Sequence, residues 1–319
     1  MKYDVVAFGE ILIDFTFTGT NERGVALFAQ NPGGAPGNVC VAVNRLGGTS
    51  SFMGKVGDDM HGQLLIDTLE KEGVGTEGLC RDGSVFTTLA FVNTNENGER
   101  FFSFARKPGA DTRMTFEEMP EELFENGRIY HFGSLSLTHE PARTASFEAV
   151  KKAREKGMII SYDPNYRDSL WPDEKTAVKW MRSMLPYADI VKISDEETAL
   201  LTDFADPEKA AKALVEQGVK IAAVTLGADG ALIAAKEGAV LAPGCKPSSI
   251  ADTNGAGDTF WGAFLYQVAK SRKQPEELTL KELEEFARYA NVAASLTCTR
   301  SGAIPAMPTA AEVDEFLNA

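Results

Sequence analysis

The chain has 319 residues, 44% hydrophobic and 24% charged, which excludes a disordered or fibrous protein and suits one large α/β core with a small appendage. A formal net charge of −14 argues against nucleic acid or an anionic membrane as a partner. Any bound phosphate must then be met locally, by backbone amides, a metal ion and a few placed cations.

Tyr3–Phe8 reads as a strand with apolar residues on both faces. The opening Met1-Lys2-Tyr3-Asp4 is not a signal peptide, and no apolar run reaches the ~18 residues that span a bilayer, so a soluble cytoplasmic protein is expected. Ile11–Thr18 alternates apolar and polar. Helical patterns follow at Ala35–Leu46 and His61–Glu72. Val85–Val92 and Arg100–Arg106 form a predicted hairpin around the Asn- and Gly-rich turn Asn93–Gly98. With no helix between them, these strands are expected to form a small antiparallel sheet outside the core, either a lid or a decoration. Helices are predicted at Pro141–Lys156, Glu174–Leu185, Asp195–Leu201 and Pro207–Gln217. They alternate with strands at Met158–Asp163, Asp189–Ile193 and Lys220–Leu226. Gly73, Gly157 and Gly218 stand where helix C-caps should. The last helical stretch is Leu280–Leu296. The alternation predicts a doubly wound, mainly parallel α/β sheet flanked by helices.

Cys40, Cys80, Cys245 and Cys298 show no C-x-x-C spacing and are expected to be reduced thiols. His61, His131 and His139 form no metal-ligand pattern.

The main chemical motif is Asp252-Thr-Asn-Gly-Ala-Gly-Asp258-Thr-Phe, a glycine-rich turn opening into the apolar helix Phe260–Val268. Free N–H groups and the helix dipole favour an anion at such a start. Asp258 lies in the first turn, where the same field favours its ionised form. Two readings stay open on spacing alone. Asp258 is a base beside an anion hole built by the amides of Gly255, Ala256 and Gly257, or it is a helix N-cap after a flexible turn. Asn31-Pro-Gly-Gly-Ala-Pro-Gly-Asn38 is either a second backbone approach to a ligand or a tight strand–helix connection. Neither a Walker A motif nor a G-x-G-x-x-G after the first strand is present.

Together, and over 200 residues apart in the sequence, these two motifs resemble the two signature segments of the ribokinase (PfkB) carbohydrate kinases. The first runs from Gly33-Gly-Ala-Pro-Gly-Asn38 through Arg45-Leu-Gly-Gly to Gly54-Lys-Val-Gly-Asp58. The resemblance spans the chain, from Gly9-Glu-Ile-Leu-Ile-Asp14 to Ser301-Gly-Ala-Ile-Pro. It implies one ribokinase-like domain over 1–319, with a discontinuous β lid from about 11–32 and 84–107. It implies that Asp258 is the catalytic base and that Gly255, Ala256 and Gly257 are the anion hole. Asp14, Gly33, Gly34 and Asn38 become sugar contacts. Thr225, Gly227 and Gly230 resemble the nucleotide loop, Asn291 a residue of the adenine pocket, and Asn165 and Lys192 further nucleotide contacts.

ATP is implied as co-substrate with Mg²⁺, held mostly by phosphate and water. Glu197 resembles the glutamate near that ion, although Ser194 departs from the family's Asn-x-x-Glu. Asp252, Asn254, Arg300 and Gly302 resemble positions whose carbonyls bind K⁺.

The stretch from Gly98 to Asp111 resembles the fructokinase branch, where a lid strand brings aromatic residues and an arginine to the cleft, here Phe102 and Arg106. Asp163-Pro-Asn165-Tyr-Arg167 resembles a motif shared with 2-keto-3-deoxygluconate kinases, and Arg167 becomes a further substrate contact. The resemblance therefore implies phosphorylation of D-fructose to fructose 6-phosphate. The alternatives are a 2-keto-3-deoxygluconate kinase, an aminoimidazole riboside or other nucleoside kinase, and a non-catalytic sugar or nucleotide sensor. A homodimer paired through the lid is expected separately, because an exposed lid sheet with alternating apolar residues invites pairing.

Overall fold

The computed structural model describes residues 1–94 and 100–318, and the side chains of 93, 94 and 100–102 are not among those described. In chain order the first half holds β1 (Tyr3–Phe8), β2 (Leu12–Thr20), β3 (Ala26–Gly33), α1 (Ala35–Arg45), β4 (Ser50–Gly57), α2 (Met60–Lys71), β5 (Gly75–Asp82), β6 (Leu89–Thr94), β7 (Arg100–Ala105), α3 (Glu121–Asn126), β8 (Gly127–Phe132) and α4 (Ala142–Glu155). The second half holds β9 (Ile159–Tyr162), α5 (Glu174–Met184), β10 (Ile190–Ser194), α6 (Thr198–Thr202), α7 (Pro207–Glu216), β11 (Ile221–Thr225), β12 (Gly230–Ala235), β13 (Gly238–Pro243), α8 (Ala256–Ser271), α9 (Leu280–Cys298) and α10 (Ala310–Asn318).

Among the described residues, nine strands form one sheet in the order β13-β12-β11-β10-β9-β8-β1-β4-β5. Its pairs from β11 to β5 are parallel, and β12 and β13 return antiparallel at one edge. β4, β8 and β9 are buried along their whole length, as strands covered on both faces must be. One face packs on α4, α5 and α7 through Ala145, Ala149, Met181 and Leu214. The other packs on α1, α8 and α9 through Val39, Phe260, Phe264 and Ala287. This is the doubly wound arrangement expected. Gly73, Gly157 and Gly218 do end their helices, with φ of 74°, 76° and 107°. None of the described helices is long and apolar enough to cross a membrane.

The second sheet has the order β3-β2-β6-β7. It is mixed rather than antiparallel, because β2 and β6 run parallel while β2–β3 and β6–β7 are antiparallel. Parallel pairing follows from the long excursion through β4 and β5 between those two strands. The strand predicted from Val85 begins only at Leu89. Ahead of it the chain is pinned by side chains: Thr87 Oγ1 accepts from Gly57 N–H at 2.9 Å, and Thr88 Oγ1 donates to Asp111. Most of the predicted turn Asn93–Gly98 falls in 95–99, outside the described residues.

Candidate active site

In a doubly wound sheet, ligands gather at the carboxyl ends of the parallel strands. Here Glu10 follows β1, Leu135 follows β8, and Asn165 and Arg167 follow β9. All four line one pocket with Asp14, Gly34, Asn38, Phe104, Asn254 and Asp258. The sequence-predicted residues Asp14, Gly34, Asn38, Asn165, Arg167, Asn254 and Asp258 are thus brought together from distant segments.

Close helix packing assembles the centre of this site. At Gly262 a Cβ would stand 2.6 Å from Ala42 Cβ, so only glycine lets α8 approach α1 so nearly. One turn earlier on α8 is Asp258, and Asn38 Nδ2 donates to its Oδ2 across 2.7 Å. The N-cap of α8 is Gly255, at φ 75°, with no side chain capping the helix. Asp258 is therefore not the cap that spacing left open; it faces Asn38. The amides of Gly257 and Asp258 belong to the first turn, where a helix leaves its N–H groups without internal partners, while the Ala256 N–H donates to Thr253 O at 3.3 Å. Burial pushes the Asp258 carboxyl above its ordinary range, opposed by the Asn38 bond and by the Lys192 and Arg167 cations. Desolvation outweighs those attractions. A carboxylate raised in this way is a better base.

Lys192, on β10, reaches the same point. Its Nζ lies 3.5 Å from where a Cβ at Gly257 would stand, and it forms a buried ion pair with Asp163 Oδ2 at 2.6 Å. Burial disfavours the Lys192 ammonium, but Asp163, Glu197 and Asp258 outweigh it and raise its pKa. Burial also lifts Asp163 to about 6, against the pull of Lys192. A fixed ammonium thus stands beside the glycine turn, where negative charge would gather.

The side of the pocket towards Asp14 is equally specific. Gly34 has φ 110°, and a Cβ there would meet Glu10 O at 2.6 Å. A Cβ on Gly33 would fall 2.5 Å from Asp14 Oδ2, so the two glycines clear space for a carboxylate and a chain reversal. Asn254 Nδ2 donates to Asp14 Oδ2 at 3.4 Å, joining the small sheet to the α8 turn. Two buried acceptors, Asn38 Oδ1 and Glu10 Oε2, have no partner among the described residues. A pocket with unsatisfied acceptors beside a base fits a polyhydroxy ligand.

The whole chain has close relatives. The family model described as pfkB family carbohydrate kinase matches residues 2–310. The chain belongs to the pfkB family of carbohydrate kinases. This pfkB kinase is 41% identical to fructokinase-2 of Oryza sativa subsp. japonica over 322 residues, covering 98% of the chain and 94% of the relative. It superposes on the fructokinase of Xylella fastidiosa with bound ATP at a TM-score of 0.91 and 33% identity, covering 100% of this chain and 99% of that one. It also superposes on a double mutant of the Vibrio cholerae O395 fructokinase, in its fructose, ADP and potassium ion bound form, at a TM-score of 0.89 and 31% identity, covering 99% of each chain. The ribokinase-like expectation for the fold is thereby met.

Other predicted residues of this pfkB kinase have different placements. Arg106 is not among the residues that line the pocket. Its Nε and Nη2 bind Asp111 Oδ2 at 2.8 and 2.6 Å, Nη1 donates to Thr138 Oγ1 at 2.7 Å, and Nη2 donates to Leu135 O at 3.0 Å. A buried guanidinium needs its charge matched, and Asp111, five residues on, provides that match under the cleft wall. Phe102 pairs with Val92 through its backbone, and its side chain lies outside those described. Asn165, expected at the nucleotide, lines the pocket of Asp14 and Asp258, in the left-handed region at φ 49°.

Thr225, Gly227 and Gly230 form the turn after β11, where a Cβ at Gly230 would meet Ala242 O at 2.2 Å. Asn291 Nδ2 donates to Ala242 O and Pro243 O, both at 3.1 Å, tying α9 to β13. Glu197 accepts from Tyr166 N–H at 2.6 Å and Ser194 N–H at 2.8 Å, so each of its oxygens already braces a loop. Asp252 accepts from Asn254 N–H at 2.9 Å and Gly302 N–H at 3.0 Å, clamping the two loops predicted to hold K⁺. The Arg300 side chain turns away to Glu312. Among the described residues no group of three or more His, Cys, Asp and Glu side chains forms a metal cage.

Sequence reasoning passed over Glu10 and Asp163 as site residues. An acid between the apolar runs of β1 and β2 signals the first. The second opens Asp163-Pro-Asn165, but its pairing with Lys192 joins two strands and leaves no trace in spacing.

Proposed function

We propose that this protein transfers the γ-phosphoryl group of ATP to the 6-hydroxyl of D-fructose, giving ADP and fructose 6-phosphate. The observation that carries the reading is Asp258, held by Asn38 and raised in basicity, beside the glycine turn and the Lys192 ammonium. Asp258 takes the hydroxyl proton as the new O–P bond forms and the bond between phosphorus and ADP breaks. Charge on the transferring group is met by the amides of Gly255, Ala256 and Gly257 and by Lys192. Mg²⁺ would supply charge neutralisation, held mainly by phosphate oxygens and water, and Glu197, which acts electrostatically on Asp163 and Lys192, would stand near it. K⁺ would be held by carbonyls of the loops that Asp252 clamps.

The 2-keto-3-deoxygluconate alternative needs cations for its carboxylate. Arg106 is spent on Asp111, which leaves Arg167 as the arginine lining the pocket. That favours the neutral sugar, as do the fructokinase names of the relatives.

The small sheet serves as a lid and as the seam of a homodimer in a soluble, cytoplasmic enzyme. Phe17, Leu27, Phe28 and Phe91 are exposed on it, and Phe28 packs edge-on against both Phe17 and Phe91. An exposed aromatic cluster on a sheet invites a partner.

The test is ADP release with ATP and Mg²⁺ against fructose, 2-keto-3-deoxygluconate, ribose, tagatose and aminoimidazole riboside. Fructose should have the highest kcat/KM. Preference for the sugar acid would overturn the substrate, and no turnover with any would favour a sensor.

A further inference from the structure

Glu10 has no role in phosphoryl transfer, yet it is 3% exposed and lines the pocket that holds the base. Its Oε1 accepts from Ala35 N–H at 3.0 Å, at the start of α1. Its Oε2 is buried and has no partner among the described residues. Leaving a buried carboxylate oxygen unmatched costs about 1–3 kcal/mol, more when ionised. Such a cost persists where a ligand repays it.

Glu10 and Asp258 line one pocket and are both anchored at the start of α1. Glu10 hangs from Ala35 and Asp258 from Asn38, three residues along α1. The backbone is built around this placement, since Gly34 at φ 110° lets the chain pass against the Glu10 carbonyl.

We propose that Glu10 is a sugar-binding residue whose Oε2 accepts a hydrogen bond from a hydroxyl of the bound sugar other than the one Asp258 deprotonates. This rests on the sugar kinase reading above. Burial lifts the Glu10 carboxyl to about 7, Asp111 adds to the rise, and Arg106 and the Ala35 amide oppose it. Asp14 and Asp258 share the pocket. A hydroxyl donor favours the ionised form. Sugar affinity therefore weakens as pH falls through about 7.

The experiment compares the wild type with Glu10→Gln and Glu10→Ala, using whichever sugar of the panel gives the highest kcat/KM. KM for sugar and for ATP, kcat, sugar affinity by calorimetry, and Tm are measured between about pH 6 and 8, either side of the Glu10 value. Glu10→Gln keeps the acceptor for Ala35 and removes the charge. It should raise the sugar KM and Kd on the order of 10- to 100-fold, far more than it changes kcat or the ATP KM. It should also flatten their pH dependence. Wild-type sugar affinity in both variants, even with a lower Tm in Glu10→Ala, would make Glu10 a cap for α1 and overturn the proposal. A preferred sugar other than fructose would refute the fructose reading and leave Glu10 standing. Absence of binding by every sugar to the wild type would overturn both.

Discussion

Asn38 and Asp258 lie 220 positions apart and meet across 2.7 Å. The bond orients one carboxylate oxygen, and the Asn38 carbonyl oxygen is left buried without a partner among the described residues. One side chain thus orients the Asp258 carboxylate and lines the pocket beside it. The contact depends on Gly262, because any larger residue would push α8 off α1.

Asp258→Asn should lower kcat on the order of 10²- to 10⁴-fold, the span of a general base, while sugar and ATP still bind by calorimetry. The amide retains an acceptor for Asn38 but cannot take the hydroxyl proton. Turnover near the wild-type rate would remove Asp258 from the role.

The base must be ionised to act. Its folded pKa is raised above 3.8, so kcat should fall as pH drops through that raised value. The Asn38 bond pulls the value down, so in Asn38→Ala the acidic limb should move to higher pH. The pH profile of kcat under saturating substrates reads this directly. A limb that stays in place or moves to lower pH contradicts the assignment.

Gly255 sits at φ 75°, and a Cβ there would lie 2.8 Å from Ala303 Cβ. Gly255→Ala should therefore cost about 1–3 kcal/mol of stability. If the turn shifts to relieve the clash, one amide donor is lost and kcat should fall roughly 10²- to 10³-fold. Unchanged urea unfolding together with unchanged kcat would show that the turn tolerates a side chain.

Arg106→Ala leaves Asp111 buried beside a cavity with its charge unmatched. Breaking a buried pair from one side costs about 3–5 kcal/mol, and urea unfolding should show a loss of that order. Adding Asp111→Asn should recover part of it. A single-variant loss below about 1 kcal/mol would place Arg106 outside the structural framework.

Phe28→Asp adds a charge to the exposed aromatic cluster of the small sheet. Light scattering should show the wild type as a dimer and the variant shifted to monomer. A wild-type monomer at every concentration would end the pairing proposal.

The strands and helices of the core were legible because each carries its own period. Tyr3–Phe8 is apolar on both faces, as burial between helix layers demands, and its bounds are those observed. The glycine turn before α8 was legible too, since conformational freedom and helix initiation are local properties. Residues 89–105 were only half legible, because a strand does not announce whether its neighbour runs parallel or antiparallel. The pairing of β2 with β6 depends on how the intervening chain folds.

The sequence by itself determined the doubly wound core and the family and singled out Asp258 as the candidate base, because repeating patterns and contiguous motifs carry them. Only the tertiary structure decided which charges face the ligand. It turned Arg106 inward to Asp111, set Lys192 beside Gly257, and left one buried oxygen of the pocket-lining Glu10 without a partner among the described residues. A side chain's charge is written in its residue type, but burial and partners decide its use, and both are supplied by residues far away in the chain.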